Sequence, residues 1–418
     1  MTWLLIKPII PMTNYIVGLD VGTHSIKAAI AEVKKNGKLS LVRVLKMPSA
    51  GMKRGVVDDL PEATRAIGQV LAEIKQVSKN AIKNIYLGVG SPDFKVHPGQ
   101  GIVAVSRADS EISKYDLDSA VEASQAIKLP LNRMIVHAIT KEHIVDEVAD
   151  VRDPLGMVGN RLEVRSLIIH AFSPAIKNLM KCVESAGGGI AALIFSPLAA
   201  SQAILTRNQK DLGVAVIDIG FGKTGMAVYE ENKLLHTVVF PVGSGNVTND
   251  LAIGLKTSIA SAENIKLTLG SALAKEAPAR ELVDLKKFDS TAKGNVSRRY
   301  ISEIIEARLV EVLEFANNEL KYISKLAKLP GGVILTGGGA KIPGMVDLAK
   351  QELRMSAQIG VPSIVEIDSA DSELVSQAED PEMSCAFGLL MWGGEKLAQS
   401  ESYDGVGFIK KIFRSFLP

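Results

Sequence analysis

Asp20, Gly22, Thr23, His24, Ser25 and Lys27 stand together between two runs of alternating apolar residues. The runs read as strands and the residues between them as a glycine-opened turn. Such a turn offers hydroxyls, backbone N–H groups and a nearby ammonium. Glycine lets the backbone approach a ligand, and successive turn N–H groups form a nest for anions, so the chemistry on offer is the cradling of phosphates. Taken alone, an ordinary β-hairpin accounts for the stretch equally well.

A second copy changes the balance. Asp218, Gly220, Phe221, Gly222, Lys223 and Thr224 repeat the form, with Asp218 matching Asp20 and Gly220 matching Gly22. Two such hairpins, one in each half of the chain, imply two related lobes that present their loops to one cleft, as pincers on the phosphates of a nucleotide. An aspartate closing each first strand suits Mg2+ held through water, because Mg2+ takes carboxylates, phosphates and retained waters. Residues 245–248 open a helix whose N-terminus is expected to face an anion. Gly337, Gly338 and Gly339 follow a buried strand, where three glycines favour close approach of a ligand over a plain turn. Glu263 and Lys266, on one helix face, form by themselves no more than a solvated pair.

These residues need a framework to hold them. The 418 residues are 47% hydrophobic and 22% charged, a core-forming composition. A net charge of +2 argues against a general nucleic-acid binder. Cys182 and Cys385 stand in no CxxC spacing, which speaks against zinc and for a reducing compartment. No apolar run is long enough to span a bilayer.

The pattern predicts a third strand over 39–47, a helix over 57–77 capped by Asp58 or Asp59, and a buried strand over 84–90. Residues 91–163 change character. They hold short strands over 101–106, 134–141 and 144–145 and a helix over 113–126, and read as a small α/β insertion. The chain is expected back in the first sheet over 162–172. A helix over 173–186 follows, capped by Ser173 and stopped by Gly187. Residues 193–205 run from a strand into a helix. Beyond the second hairpin come a strand over 233–242, helices over 260–269 and 297–325 with hairpin strands between them, and helices over 342–353 and 383–392. Residues 394–405 read as a polar linker.

Residues 406–417 read as a closing helix. On a helical wheel Phe408, Ile409, Ile412, Phe413 and Phe416 fill one arc, with Lys410, Lys411 and Arg414 opposite and Leu417 at the end. That is the pattern of a helix lying in the interface of an anionic bilayer; the other reading is a helix folded back on its own core. Residues 1–11 are apolar but broken by Pro8 and Pro11, and read as an extension before a start near Met12.

The paired hairpins, the Leu335-Thr336-Gly337-Gly338-Gly339 strand-turn and the helix with Glu263 and Lys266 are similar to the superfamily of actin, the sugar kinases and the heat-shock chaperones. More narrowly, the chain from residue 15 onward resembles the FtsA family, the cell-division actin homologues of bacteria. Residues 18–27, 143–146, 153–157, 161–164, 181–184, 247–255 and the closing helix carry that likeness. It implies an α/β, actin-like fold of two lobes, each a ribonuclease-H-like domain, with a small α/β insertion in the first. Residues 14–90 and 164–205 would form the first lobe and 91–163 its insertion. Residues 206–242 and 326–393 would form the second lobe and 243–325 its outer subdomain.

The resemblance further implies ATP and Mg2+ between the lobes. Gly22, Thr23, His24, Ser25 and Lys27 would take the first phosphate loop. Asp218, Gly220, Gly222, Lys223 and Thr224 would take the second, with Asp20 and Asp218 toward the metal. Gly243, Gly245 and Asn246 would line the phosphate-to-sugar region, Glu263 and Lys266 would meet ribose or adenine, and Gly337 to Gly339 would lie beneath the adenosine. Filaments of the chain with itself, the C-terminal tail of FtsZ, other division proteins and the cytoplasmic face of the membrane at the septum are the implied partners. Arg298, Arg299, Glu303 and Arg308, otherwise a charged outer face, lie in the subdomain that would receive the FtsZ tail.

Departures from the pattern matter. Phe221, Lys223 and Gly225 stand where the family usually has glycine, threonine and aspartate, and Ser196 stands where it often has an acidic residue. Two carboxylates able to orient water are missing, so ATP hydrolysis is expected to be slow or absent. A PilM-like pilus-assembly scaffold and a small-molecule kinase are the alternatives within the superfamily. The closing helix and residues 153–157 favour division, and no isolated catalytic aspartate favours the kinase.

Overall fold

A computed structural model describes residues 15–401 apart from 35–36, 279, 293, 326–327, 364–366 and 369–370. The expectations for residues 1–11 and 406–418 lie outside the described residues.

Two sheets share one plan. In the first, β1 (Tyr15–Val21), β2 (Ser25–Val33) and β3 (Leu39–Pro48) form an antiparallel meander. On the other side of β1 lie two parallel strands, β4 (Ile85–Val89) and β8 (Ile190–Phe195). In the second sheet, β9 (Val214–Ile219), β10 (Thr224–Glu230) and β11 (Lys233–Phe240) form the same meander. Parallel strands β12 (Val333–Thr336) and β13 (Ala357–Ile359) again continue from its first strand. This is the duplicated two-lobed architecture expected. Because helices cover both faces, β1 and β9 are buried almost throughout and read as continuous apolar runs.

The helix α1 (Leu60–Val77) turns Ile67, Val70, Leu71 and Ile74 into the first core, and Asp59, not Asp58, caps it. The insertion carries α2 (Lys114–Gln125) on a three-stranded sheet ordered β5-β7-β6, with β5 (Lys95–Ala104), β6 (Arg133–Val145) and β7 (Arg161–Phe172). Ser113 and Asp116 cap α2 reciprocally. After α3 (Ser173–Ser185) and β8 comes α4 (Ser196–Ile204), a buried helix packed between the two sheets. The outer subdomain holds α5 (Ser244–Leu255), α6 (Ile259–Leu269) and the long α7 (Arg298–Tyr322), which Ser297 caps. The chain closes with α8 (Met345–Leu353), the short β14 (Ile367–Asp368) and α9 (Ser384–Glu401).

Four expectations are corrected. The strand over 162–172 does not return to the first sheet: β7 is the middle strand of the insertion, so the division at 163/164 cuts through it. Ser173 is the first residue of α3 and not its cap; the residue before it is Phe172, whose N–H donates to the Asp93 carboxylate. Residues 326–393 do not all belong to the second lobe, because β14 pairs with β3 and α9 packs on β1 and α4 within the first core. The linker expected over 394–405 is helical from 394 to 401.

Candidate functional site

The two hairpins place matched groups in matched positions. The Gly22 N–H donates to the Ser25 carbonyl at 3.1 Å, and the Gly220 N–H donates to the Lys223 carbonyl at 3.0 Å. Their tips meet across the lobes. The His24 and Phe221 rings stack at 4.7 Å, and a Cβ on Gly222 would lie 2.7 Å from the Thr23 hydroxyl. Only a glycine at 222 permits that approach.

Behind the tips lie the two aspartates. Opposite Asp20 in the ladder stands Lys27, 3.4 Å away; opposite Asp218 stands Gly225, against whose face Pro197 packs. Burial, and then the neighbouring Asp20, push the Asp218 carboxyl up to about 6, while Lys27 and Lys223 pull the other way. Burial works against the charge on Lys27, yet Asp20, Asp218 and Glu382 outweigh it and hold its pKa above the usual lysine value. The Cys385 thiol beneath them is pushed far up, by burial first and by the same two carboxylates.

Several residues assigned to phosphate also have protein partners. Lys223 donates to the Gly90 carbonyl of the first lobe. The Thr224 hydroxyl is buried and donates to the Val242 carbonyl. The N-terminus of α5 does not face open space either: Ser244 N–H donates to the Gly220 carbonyl, Gly245 N–H to the Phe221 carbonyl and Gly243 N–H to the Asn246 side chain. A helix start leaves its first N–H groups without partners, and here the second loop supplies them. A Cβ on Gly243 would press on Gly220, Phe221 and Lys223 backbone, and one on Gly245 on the Phe221 ring.

Glu263 and Lys266 are no solvated pair. Lys266 is buried and donates to Glu263 at 2.7 Å, to the Thr248 hydroxyl at 2.9 Å and to the Ser244 carbonyl at 3.3 Å, with its ammonium 5.4 Å from the Phe221 ring centre. Burial lowers its pKa against the pull of Glu263. The pair braces α5 against α6 beneath the second loop. Of the three glycines, Gly337 and Gly339 pack onto β9, against Asp218 and Ile219, and Gly338 alone is exposed, beside Glu382.

Glu382 was not anticipated. It meets Lys46 at 2.7 Å and Lys341 at 3.3 Å, and these cations overcome the effect of burial and hold its pKa down. A lone glutamate ahead of a helix gives no signal in the sequence, because its partners come from β3 and from the turn after β12. On α7, Arg308 is held by Asp250 and Glu311, and Arg298 by Glu281 and the Leu269 carbonyl. Arg299 and Glu303 face each other more loosely, 3.9 Å apart.

The SHS2 domain inserted in FtsA matches residues 93–170, and the family of the cell division protein FtsA matches residues 215–388. The Pseudomonas aeruginosa cell division protein FtsA is 33% identical over 392 residues, 94% of this chain and 92% of that relative. The chain belongs to the FtsA family. The Bacillus subtilis FtsA is 35% identical, over 84% of this chain and 79% of its own length. Among solved structures, the PilM–PilN pilus biogenesis complex matches with a TM-score of 0.64 at 19% identity, over 91% of this chain and 98% of that one. MreB5 of Spiroplasma citri bound to ADP matches at 0.52 and 13% identity, over 94% and 100%. At these identities they establish the actin-like fold that the FtsA family shares here. This chain is thus a cell-division actin homologue. Among the described residues no helix is long and apolar enough to cross a membrane.

Proposed function

We propose that this cell-division actin homologue binds ATP between its lobes, polymerises, and tethers the FtsZ ring to the cytoplasmic membrane at the septum, where it helps recruit later division proteins. The pair of facing hairpins with Asp20 and Asp218 behind them carries the nucleotide reading, and the ADP bound to the related MreB5 fold supports it. Mg2+ fits the same place. Burial and the nearby Asp20 make Asp218 costly to ionise, a cost that a divalent cation relieves, and Asp20 and Asp218 would hold it through water while it neutralises phosphate charge. Lys27 would then face the phosphates from the first lobe. Gly225 and Ser196 offer no carboxylate to position water, so turnover stays well below about 1 per second.

Calorimetry of Gly338→Phe tests the cleft. Gly338 is exposed, and its Cβ would meet only Glu382, at 3.4 Å. The variant should fold normally and lose at least tenfold in ATP affinity, about 1.4 kcal/mol. Unchanged affinity rejects the assignment. Filaments on an anionic lipid monolayer with ATP, seen by electron microscopy, are the expected outcome for self-association; monomers alone at high surface density refute it.

A further inference from the structure

We propose that Lys223 is a latch that ties the second lobe to the first. Lys223 ends the turn between β9 and β10, in the second lobe. Its ammonium donates to the carbonyl of Gly90, just past the end of β4 in the first lobe. The first lobe is shaped to receive it. Arg54 and Gly55, both at positive φ, turn the small hairpin of Met52–Lys53 and Val56–Val57. A Cβ on Gly55 would fall on the Gly90 carbonyl and press on the Lys223 side chain, 3.1 Å from Cδ and 3.2 Å from Nζ. A Cβ on Gly90 would stand 2.9 Å from the ammonium and 3.2 Å from the Ser196 hydroxyl. Two glycines therefore leave a socket that the lysine fills.

The contact has the features of a lock. A charged donor makes roughly twice as strong a hydrogen bond as a neutral one. The socket lies beside Ser196 at the start of α4, the helix shared by both sheets. The same ammonium cannot serve Gly90 and a phosphate at full strength, so a nucleotide phosphate competes with the latch. That second step rests on the nucleotide reading; the latch itself does not.

The test uses the full chain with cysteines introduced at Arg65 on α1 and Lys286 in the outer subdomain, both exposed, and spin labels attached. Cys182 and Cys385 are buried and stay unlabelled. Pulsed electron resonance then reads the distance between lobes in nucleotide-free protein. The unsubstituted protein should give one narrow distribution. Lys223→Met, which removes the donor, and Gly90→Ala, whose Cβ crowds the ammonium at 2.9 Å, should each broaden it toward longer distances, and the double variant should go no further than either alone. Should one variant fail to fold, the other reads the same contact. A Lys223→Met distribution matching the unsubstituted protein overturns the latch. Adding ATP and Mg2+ to unsubstituted protein should broaden the distribution if phosphate takes the ammonium. A distribution unmoved at saturating ATP overturns the competition, and absence of ATP binding by calorimetry overturns the nucleotide reading, while the nucleotide-free comparison still decides the latch.

Discussion

At Asp218 burial and a neighbouring charge act together, and they make stability depend on pH. Its carboxyl sits at about 6 in the folded chain, raised by burial and by Asp20, against an unfolded value of about 3.9. Between those values the folded state holds a proton that the unfolded state has lost. Stability therefore falls as pH rises from about 4 to about 6, and stays reduced above that. Asp218→Asn should stabilise the nucleotide-free protein at pH 7 by on the order of 1 kcal/mol, less than a fully sealed group would give, because the residue is only half-buried. Thermal melts should show that gain vanish toward pH 4; a gap that is the same at every pH would overturn the assignment. The neighbouring glycines differ as sharply. Gly337 has φ 82 and ψ 171, and any side chain there falls on Asp218, so Gly337→Ala should cost about 1–3 kcal/mol. Gly338→Ala should stay within about 0.5 kcal/mol in urea titration.

At the scale of elements, the hairpins were legible because alternation and a glycine turn are local signals. So was α1, through its apolar stripe and an acidic cap that the structure places at Asp59, and α7 was legible as one long helix, though its reading over 297–325 took in the cap Ser297. Sheet membership was not legible. The run that forms β7 reads as a strand, but nothing local says which sheet it joins. The extent of α9 was misread for a physical reason. Polarity over 394–405 reads as a linker, yet the missing side chains of Gly393 and Gly394 let the helix lie close to Tyr86 and Leu39, where a Cβ would come within 2.9 and 2.8 Å. The paired loops were legible and the partners of their side chains were not: Lys223, Thr224 and Lys266 are polar in the sequence, and only the fold shows which carbonyls and hydroxyls they meet. The same reasoning ranks glycine substitutions. Gly388→Ala would drive a Cβ into the Ala199 carbonyl of α4 and should cost about 1–3 kcal/mol. Gly68→Ala on α1, with only Ala186 at 3.9 Å, should stabilise by about 0.5–1 kcal/mol. Equal effects in urea unfolding would show that α9 does not press on α4 as described.

For the whole molecule, the end of α9 decides how the closing segment can act. The helix packs on the first lobe and runs to Glu401, leaving residues 402–405 before the amphipathic pattern begins. Those four residues span at most about 14 Å. If Phe408, Ile412, Phe413 and Phe416 grip a bilayer, as proposed, it must lie close to the first lobe, with far less slack than a linker from 394 would give. One such segment alone would bind weakly, since each basic residue adds only about 1 kcal/mol near an anionic surface. Many helices on one filament would hold firmly by effective concentration, which couples polymerisation to attachment. Removing residues 406–418, or changing Phe413 and Phe416 to Glu, should abolish co-sedimentation with anionic vesicles and leave ATP affinity unchanged. Raised salt should weaken the intact protein's binding, because Lys410, Lys411 and Arg414 act through screened charge. If the shortened chain still pellets with vesicles, the anchor is not this segment, and the apolar residues 1–11 become the next stretch to delete. If it stays in solution but still forms filaments, attachment and assembly are separable, and it is the filament that makes a weak helix sufficient.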